Sequence, residues 1–210
     1  LEFIDVEFHE FENSVRLHIK VKNVSNGMAN YVKPLLTIDT NCTKEYVLAD
    51  EAKPCSKGRF SCPICKRDKR EFLCPLPFKV IDDYLCWTVA EVEAGSGLFG
   101  KYYHVTNIPP EGTGYIVIAD IYRDEKLKLS IIRFMSEYGT ESRARICLLI
   151  PFEKGEVRIP FTVKVVGEGF IPISEKFELI LSERELKVKW RDKEMPYPNY
   201  ERLKVLPRGG

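Results

Sequence analysis

The alternation of apolar and polar residues with a period of two is the feature that most constrains the fold. In SVRLHIKVKN (residues 14–23) every second residue is apolar, and the same alternation returns in VRIPFTVKV (157–165). Because successive side chains of a β-strand point to opposite faces, such segments predict strands with one buried face. Proline cannot donate a ladder hydrogen bond, so Pro160 predicts an edge strand or a bulge.

Shorter segments of the same kind extend this pattern along the chain. Alternation also occurs at Ile4, Val6 and Phe8, and again in residues 177–181 and 186–190. The segments GYIVIADIY and RARICLLI are denser in apolar residues and predict strands buried on both faces. A helical turn is indicated only near RFMSEYGTESR. Short strands separated by Gly-, Pro- and Asn-rich turns predict an all-β fold, an antiparallel β-sandwich.

The domain organisation follows from where this pattern is interrupted. We expect one sandwich over residues 1–190, with a cysteine-rich insertion at residues 50–78. The proline-punctuated residues 191–210 predict an irregular C-terminal tail that lies on the surface or frays.

Three segments carry a resemblance to a known group of modules: VKNVSNGMANYVKPLLTI, HVTNIPPEGTGYIVIADI and FTVKVVGEGFIPISEKFELIL. In that order they resemble the immunoglobulin-like β-sandwich modules of many prokaryotic proteins, including the CARDB-type adhesion modules. The resemblance implies an immunoglobulin-like fold and a non-catalytic binding role, and it carries no site residues. The cysteine-rich insertion is not part of that pattern.

The cysteine-rich segment CSKGRFSCPICKRDKREFLC is the clearest candidate site. Its four cysteines have the spacing C-x6-C-x2-C-x8-C, and the central CPIC turn lets two thiolates bind one ion. Four thiolates form the closed tetrahedral shell of a structural zinc site, which would fold a polar loop with little apolar surface. The predicted zinc ligands are Cys55, Cys62, Cys65 and Cys74.

Alternatives to this ligand set stay open. Cys42 or Cys86 fits in place of an outer ligand, and the six cysteines from 42 to 86 also suit disulfide bonds. Zinc would indicate a reducing, cytoplasmic compartment, whereas disulfides would favour a cell-surface module. The chain also lacks glutamine and is rich in Lys, Arg and Glu, which is typical of thermophile proteins, some of which keep disulfides inside the cell.

The cysteine-rich segment also carries a cluster of positive charges. These cations offset the thiolate charge, and with neighbouring phenylalanines they form an alternative surface for single-stranded nucleic acid. The net charge of the whole chain is only +1, which by itself gives no reason to expect a nucleic-acid partner. The basic residues are Lys57, Arg59, Lys66, Arg67, Lys69 and Arg70.

Other chemistry-bearing residues give weaker signals. If residues 3–11 and 14–23 form a hairpin, then Glu7, His9 and His18 share its solvent face, either as a surface metal site or as a mixed polar face. No nucleophile motif or phosphate loop stands in its required context, so an enzyme would need a site assembled from distant residues. No apolar run reaches the length of about 18 residues that a membrane span needs.

These patterns together predict a non-catalytic binding or assembly module. Its partner is expected to be a protein, recognised by the zinc-folded loop. A nucleic-acid-binding protein and an enzyme are the alternatives.

Overall fold

The computed structural model describes most of the chain outside its central third. The backbone is described for residues 1–11, 14–39, 47–50, 54–59, 71–72, 78–81, 84–88, 92–95, 102–104, 107–135 and 145–203, and the side chains for 1–10, 14–38, 107–134 and 148–203. The described residues contain strands and two short 3-10 helices, Phe152–Lys154 and Tyr200–Arg202, but no α-helix. None of these helices is long and apolar enough to cross a membrane.

The strands have the following bounds. In chain order they are β1 (Glu2–Phe11), β2 (Ser14–Lys22), β3 (Asn30–Asp39), β4 (Val47–Asp50), β5 (Pro54–Arg59), β6 (Glu71–Phe72), β7 (Phe78–Ile81), β8 (Tyr84–Thr88), β9 (Val92–Gly95), β10 (Tyr102–His104), β11 (Thr113–Asp124), β12 (Leu129–Met135), β13 (Arg145–Pro151), β14 (Val157–Glu168), β15 (Ile173–Leu181), β16 (Leu186–Trp190) and β17 (Lys193–Pro196).

Two antiparallel sheets are built from these strands. The first sheet has the order β1-β2-β11-β12-β13-β4, with β9 and β10 added beside β11. The second has the order β17-β16-β15-β14-β3-β8-β7, and β5 pairs with β6 separately. Each sheet includes strands from both ends of the chain, because β2 pairs with β11 and β3 pairs with β14. The predicted all-β class is therefore confirmed.

One hydrophobic core lies between the two sheets, which is the arrangement of a β-sandwich. The predicted alternation is confirmed in β2, β14, β15 and β16, whose apolar positions are buried. Residues from both sheets contribute fully buried side chains, among them Leu17 and Ile116 from the first sheet and Leu36, Val163 and Leu179 from the second. Strand β11 is buried on both faces, as its dense apolar sequence predicted.

Proline 160 does not mark β14 as an edge strand, since β14 lies between β15 and β3. The β14–β3 ladder begins only at Phe161, so Pro160 lies just beyond its end and pairs with Glu178 of β15 alone. At that point the proline needs no partner on the β3 side, which explains why it is tolerated. The irregularity in that ladder lies further along, between Val166 and Glu168, and there the extra residue belongs to β3.

Strand β1 also departs from simple alternation. A bulge between Phe3 and Asp5 shifts the register against β2, so Phe3 joins Val6 in the core. Ile4, which the alternation placed with Val6, is 38% exposed. A bulge adds one residue to one strand, and this reverses the faces of the residues before it.

The segment from residue 191 onward was expected to be irregular, but it contains strand β17 and the second 3-10 helix. Tyr197 and Tyr200 are buried in the core cluster. The aromatic rings attach this segment to the sandwich despite its prolines.

Candidate functional site

The predicted zinc ligands lie almost entirely outside the described residues. Cys55 is on strand β5, where only the backbone is described. Cys62, Cys65 and Cys74 lie outside the described residues. The alternative ligand Cys86 lies on β8, whose side chains are likewise not described, and Cys42 is outside the described residues. The zinc site therefore stays a prediction.

The predicted basic surface has the same status. Lys57 and Arg59 lie on β5, with only their backbone described. The other four residues of that surface, Lys66, Arg67, Lys69 and Arg70, lie outside the described residues.

A polar cluster lies on the outer face of the first sheet, where the N-terminal hairpin has the predicted register. Glu7 pairs with His18 and His9 pairs with Arg16, as the hairpin alignment required. Tyr115 of β11 is the cross-strand partner of Lys20. We call Glu7, His9, His18, Lys20 and Tyr115 the histidine cluster.

The contacts within the histidine cluster are close. The Glu7 carboxylate lies 3.1 Å from His9 Nε2 and 3.1 Å from Lys20 Nζ. The rings of His9 and His18 are 4.6 Å apart, edge to face, and Lys20 Nζ lies 5.0 Å above the Tyr115 ring. The hydrogen bond with Tyr115 and the Glu7 carboxylate hold the pKa of Lys20 above its ordinary value, although burial opposes this. These contacts therefore favour the charged form of Lys20.

The placement of His18 corrects the expectation that the three residues share a solvent face. The side chain of His18 is completely buried, while those of His9 and Glu7 are about a quarter exposed, at 25% and 27%. Within the described part of the chain, no group of three His, Cys, Asp or Glu residues is arranged to hold a metal ion. Alternation places His18 on the same face as Glu7 and His9, but it does not show that neighbouring side chains bury His18 there.

The next pair along the same face is an ion pair between strands. Arg16 donates two hydrogen bonds to the Asp120 carboxylate, at 2.7 and 3.1 Å, across the β2–β11 ladder. Both side chains are largely buried. Bidentate pairs of this kind fix geometry, so the cationic and acidic groups here neutralise one another and align the strands.

The C-terminal segment is fixed by a second set of polar contacts. The Tyr197 hydroxyl and the Asn199 amide both donate to Glu10 of β1, at 2.8 and 2.9 Å. Tyr200 and Ser130 share a buried hydrogen bond, and burial raises the pKa of Tyr200 to about 12. These hydroxyl and carboxylate groups position the segment.

The buried guanidinium of Arg123 serves the same purpose at the far end of β11. It donates to the backbone carbonyl of Glu183 at 3.2 Å and to that of Glu201 at 3.5 Å, and it pairs with Glu125. Beside it is an open depression of about 440 Å³, lined by Leu127, Lys128, Pro151, Phe152, Glu153 and Glu183.

The opposite end of the sandwich is organised around one buried asparagine. The Asn23 side-chain amide donates to the carbonyls of Gly27 and Ile108, at 2.8 and 2.9 Å, and its oxygen accepts from Ser25. Its backbone bonds to Glu111 and Gly112. Asn23 therefore joins two loops, and its amide is not exposed for glycosylation, although Asn23-Val24-Ser25 matches the acceptor pattern.

A third loop packs against these two. Glu168 pairs with Asn30, and a Cβ added to Gly169 would lie 2.4 Å from the Met28 carbonyl oxygen. Gly169 has a φ of +82°, so both its conformation and its close approach favour glycine. We call residues 23–31, 107–112 and 167–172 the loop end.

The loop end exposes large apolar side chains. Ile171 is 85% exposed and Tyr31 is 67% exposed, and Val24 and Met28 are each 45% exposed. Of the six large apolar residues exposed in the described part of the chain, these four share one end. Tyr31 is also held at a φ of +52°, which is uncommon for an aromatic residue.

Sequence reasoning did not identify the loop end, although the signal was present. The segments VSNGMANY and GEGFIP contain exposed apolar residues inside turns, where polar residues are usual. An apolar residue within such a turn either packs inward, as Ala29 does, or is exposed. The sequence alone does not distinguish these two outcomes.

Comparisons with known proteins gave no match. The chain matches no family model, no curated protein and no solved structure.

Proposed function

We propose that this chain is a non-catalytic binding or assembly module with an immunoglobulin-like β-sandwich as its scaffold. The loop end is the observation that carries the proposal, because it presents Tyr31, Ile171 and their apolar neighbours on segments that are joined by hydrogen bonds. Large exposed apolar patches are rare on soluble proteins, and where they occur they usually mark interaction sites.

The support beneath these side chains favours binding. Asn23 joins two of the three loops by hydrogen bonds at 2.8 and 2.9 Å, and Gly169 lets the third approach closely. A surface that is ordered before a partner arrives loses less conformational entropy on binding. The elaborate internal bonding of the loop end is therefore consistent with a contact surface.

Site-specific photo-crosslinking tests this proposal. A benzophenone amino acid replaces Ile171 in one variant and Leu127, at the far end of β11, in the matched control; Leu127 is 41% exposed. In the source cells we expect discrete adducts from position 171 and few from position 127. Equal or absent labelling at the two positions would argue against a binding role for the loop end.

The cysteine-rich segment is proposed as a second recognition element, folded by structural zinc. The spacing of Cys55, Cys62, Cys65 and Cys74 supports this, as does the positive charge around them, which offsets the charge of four thiolates. A protein partner is the proposed ligand of that element.

Elemental analysis tests the zinc proposal directly. Protein purified without added metal should contain about one zinc per chain, with every cysteine titrating as a free thiol after denaturation. If the protein contains no metal and free thiols are missing in pairs, the cysteines form disulfide bonds and the zinc proposal is wrong.

A further inference from the structure

A row of lysines crosses the outer face of the second sheet beside the loop end. Lys33 of β3, Lys164 of β14 and Lys176 of β15 all point away from the core and are exposed. Lys33 pairs with Val166, Lys164 pairs with Leu35 and Ser174, and Lys176 pairs with Thr162. The three lysines are therefore diagonal neighbours, with about 7 to 8 Å between successive Cα atoms.

This lysine row is not neutralised within the described residues. None of the three ammonium groups lies in an ion pair or a hydrogen bond with a described residue. On the outer face of β3, β14 and β15, the described carboxylates are Glu178, which pairs with Arg158 at 3.2 Å, and Glu168 at the end of β14. Glu168 is exposed and lies in no ion pair, so three cations oppose one anion.

The row and the apolar side chains belong to one surface. Along the strands, Lys33 is two residues from Tyr31, Lys176 is four from Pro172, and Lys164 is four from Glu168. At a rise of about 3.3 Å per residue, the lysines lie roughly 7 to 13 Å from the loop end. A long lysine side chain spans much of that distance.

We propose that this surface docks the protein on an anionic lipid bilayer. Ile171 and its apolar neighbours enter the headgroup region, Tyr31 lies at the interface, and the lysine row contacts the negative headgroups. Aromatic rings with one polar end favour that interface, and each basic residue near an anionic leaflet strengthens binding. The inference rests on the proposed binding function and names the partner.

Charge and shape favour this occupant over a second copy of the chain. Two copies joined symmetrically through this surface would bring their lysine rows together, and like charges repel. The apolar residues are at one exposed end of the sandwich, which suits insertion into a fluid layer.

Vesicle flotation at low salt tests the inference. The probes are vesicles of phosphatidylcholine alone and vesicles in which part of it is replaced by phosphatidylserine. We expect binding to the second kind only, with a decrease as salt screens the lysines. Replacing Lys33, Lys164 and Lys176 with glutamine should weaken binding roughly fivefold for each residue, and Ile171→Ser should weaken it about tenfold.

Matched controls come from the far end of the sandwich. The triple variant Lys126→Gln, Lys128→Gln, Lys154→Gln removes as many exposed lysines, and Leu127→Ser removes an exposed aliphatic residue. Both should bind like the unaltered protein. Equal losses in test and control variants would overturn the proposal, because binding would then depend only on total charge or apolarity.

Two further outcomes would also overturn it. One is no binding to phosphatidylserine vesicles at low salt. The other is binding that polyglutamate displaces and that Ile171→Ser leaves unchanged, which would assign the lysines to an acidic polypeptide. If vesicles do not bind but protein adducts still form from position 171, the module function stands and only the lipid partner is wrong.

Discussion

At the residue scale, single buried polar groups fix the parts of the molecule that hydrophobic packing leaves free. Asn23 is the clearest case, because its side-chain amide gives the carbonyls of two loops a further hydrogen bond each. A buried amide has to keep its hydrogen bonds, which makes such a residue hard to replace.

We expect Asn23→Ala to destabilise the protein by about 1 to 3 kcal/mol, since the two hydrogen bonds from its amide to the Gly27 and Ile108 carbonyls are lost. The denaturation midpoint in urea measures this. Asn26→Ala, at an exposed position of the same loop, should change stability by less than about 0.5 kcal/mol. If the two substitutions changed stability by similar amounts, the hydrogen bonds of Asn23 would not be what stabilises these loops.

Glu10 gives a residue-scale prediction about pH. Hydrogen bonds from Asn199 and Tyr197 lower its pKa below the ordinary 4.5. A lowered folded-state pKa means that the contact stabilises the fold above pH 4.5 and that this contribution is lost as the pH falls below it.

Glu10→Gln should therefore lose stability at neutral pH, and the difference from the unaltered protein should shrink as the pH falls below 4.5. Urea denaturation across this range measures the difference. Glu153→Gln, at an exposed carboxylate, serves as the control and should show no such convergence. If the stability difference between Glu10→Gln and the unaltered protein stayed constant with pH, hydrogen bonding to the ionised carboxylate would not be the cause of the lost stability.

At the element scale, the strands follow their periodicity and the exceptions have local causes. The alternation predicted β2, β14, β15 and β16 together with their buried faces, since both depend only on the period of two. It placed Ile4 on the wrong face because nothing in the residues announces the bulge between Phe3 and Asp5. Similarly, the β3 ladder ends beside Pro160, which sequence alone does not show.

The aromatic contacts of β14, β15 and β16 give an element-scale prediction. The rings of Phe161 and Phe177 are stacked 5.4 Å apart, and Trp190 continues the stack at 5.9 Å from Phe177. Phe161→Ala should destabilise the fold by about 3 to 5 kcal/mol. Thr162→Ala, on the opposite face, should cost about 1 kcal/mol or less.

Calorimetric or denaturant unfolding of both variants checks this prediction. Equal costs would mean that β14 stabilises the sheet through its backbone ladder and not through the aromatic stack.

At the scale of the whole molecule, the chain completes each sheet with strands that are distant in sequence. β2 lies beside β11 and β3 lies beside β14, so residues 1–39 and 107–203 each supply strands to both sheets. The cysteine-rich residues 50–78 fall between these two parts of the chain.

An insertion of that kind should unfold separately from its host. We expect Cys62→Ser or Cys65→Ser to remove order from residues 50–78 while the sandwich strands keep their hydrogen-exchange protection. Cys147→Ser, outside the segment, is the comparison. Collapse of the whole fold on loss of Cys62 would contradict the insertion hypothesis.

The sequence by itself determined the fold class, the positions of the clearly alternating strands such as β2, β14, β15 and β16, and the register of the first hairpin. These depend on local periodicity and on a two-residue turn, which neighbouring residues encode. The zinc ligands are also a prediction from spacing alone. Only the tertiary structure decided that His18 is buried, that the C-terminal tyrosines join the core, and that Tyr31, Ile171 and the lysine row share one surface. Each of these depends on which distant strands become neighbours, and burial and charge at such positions are set by those neighbours.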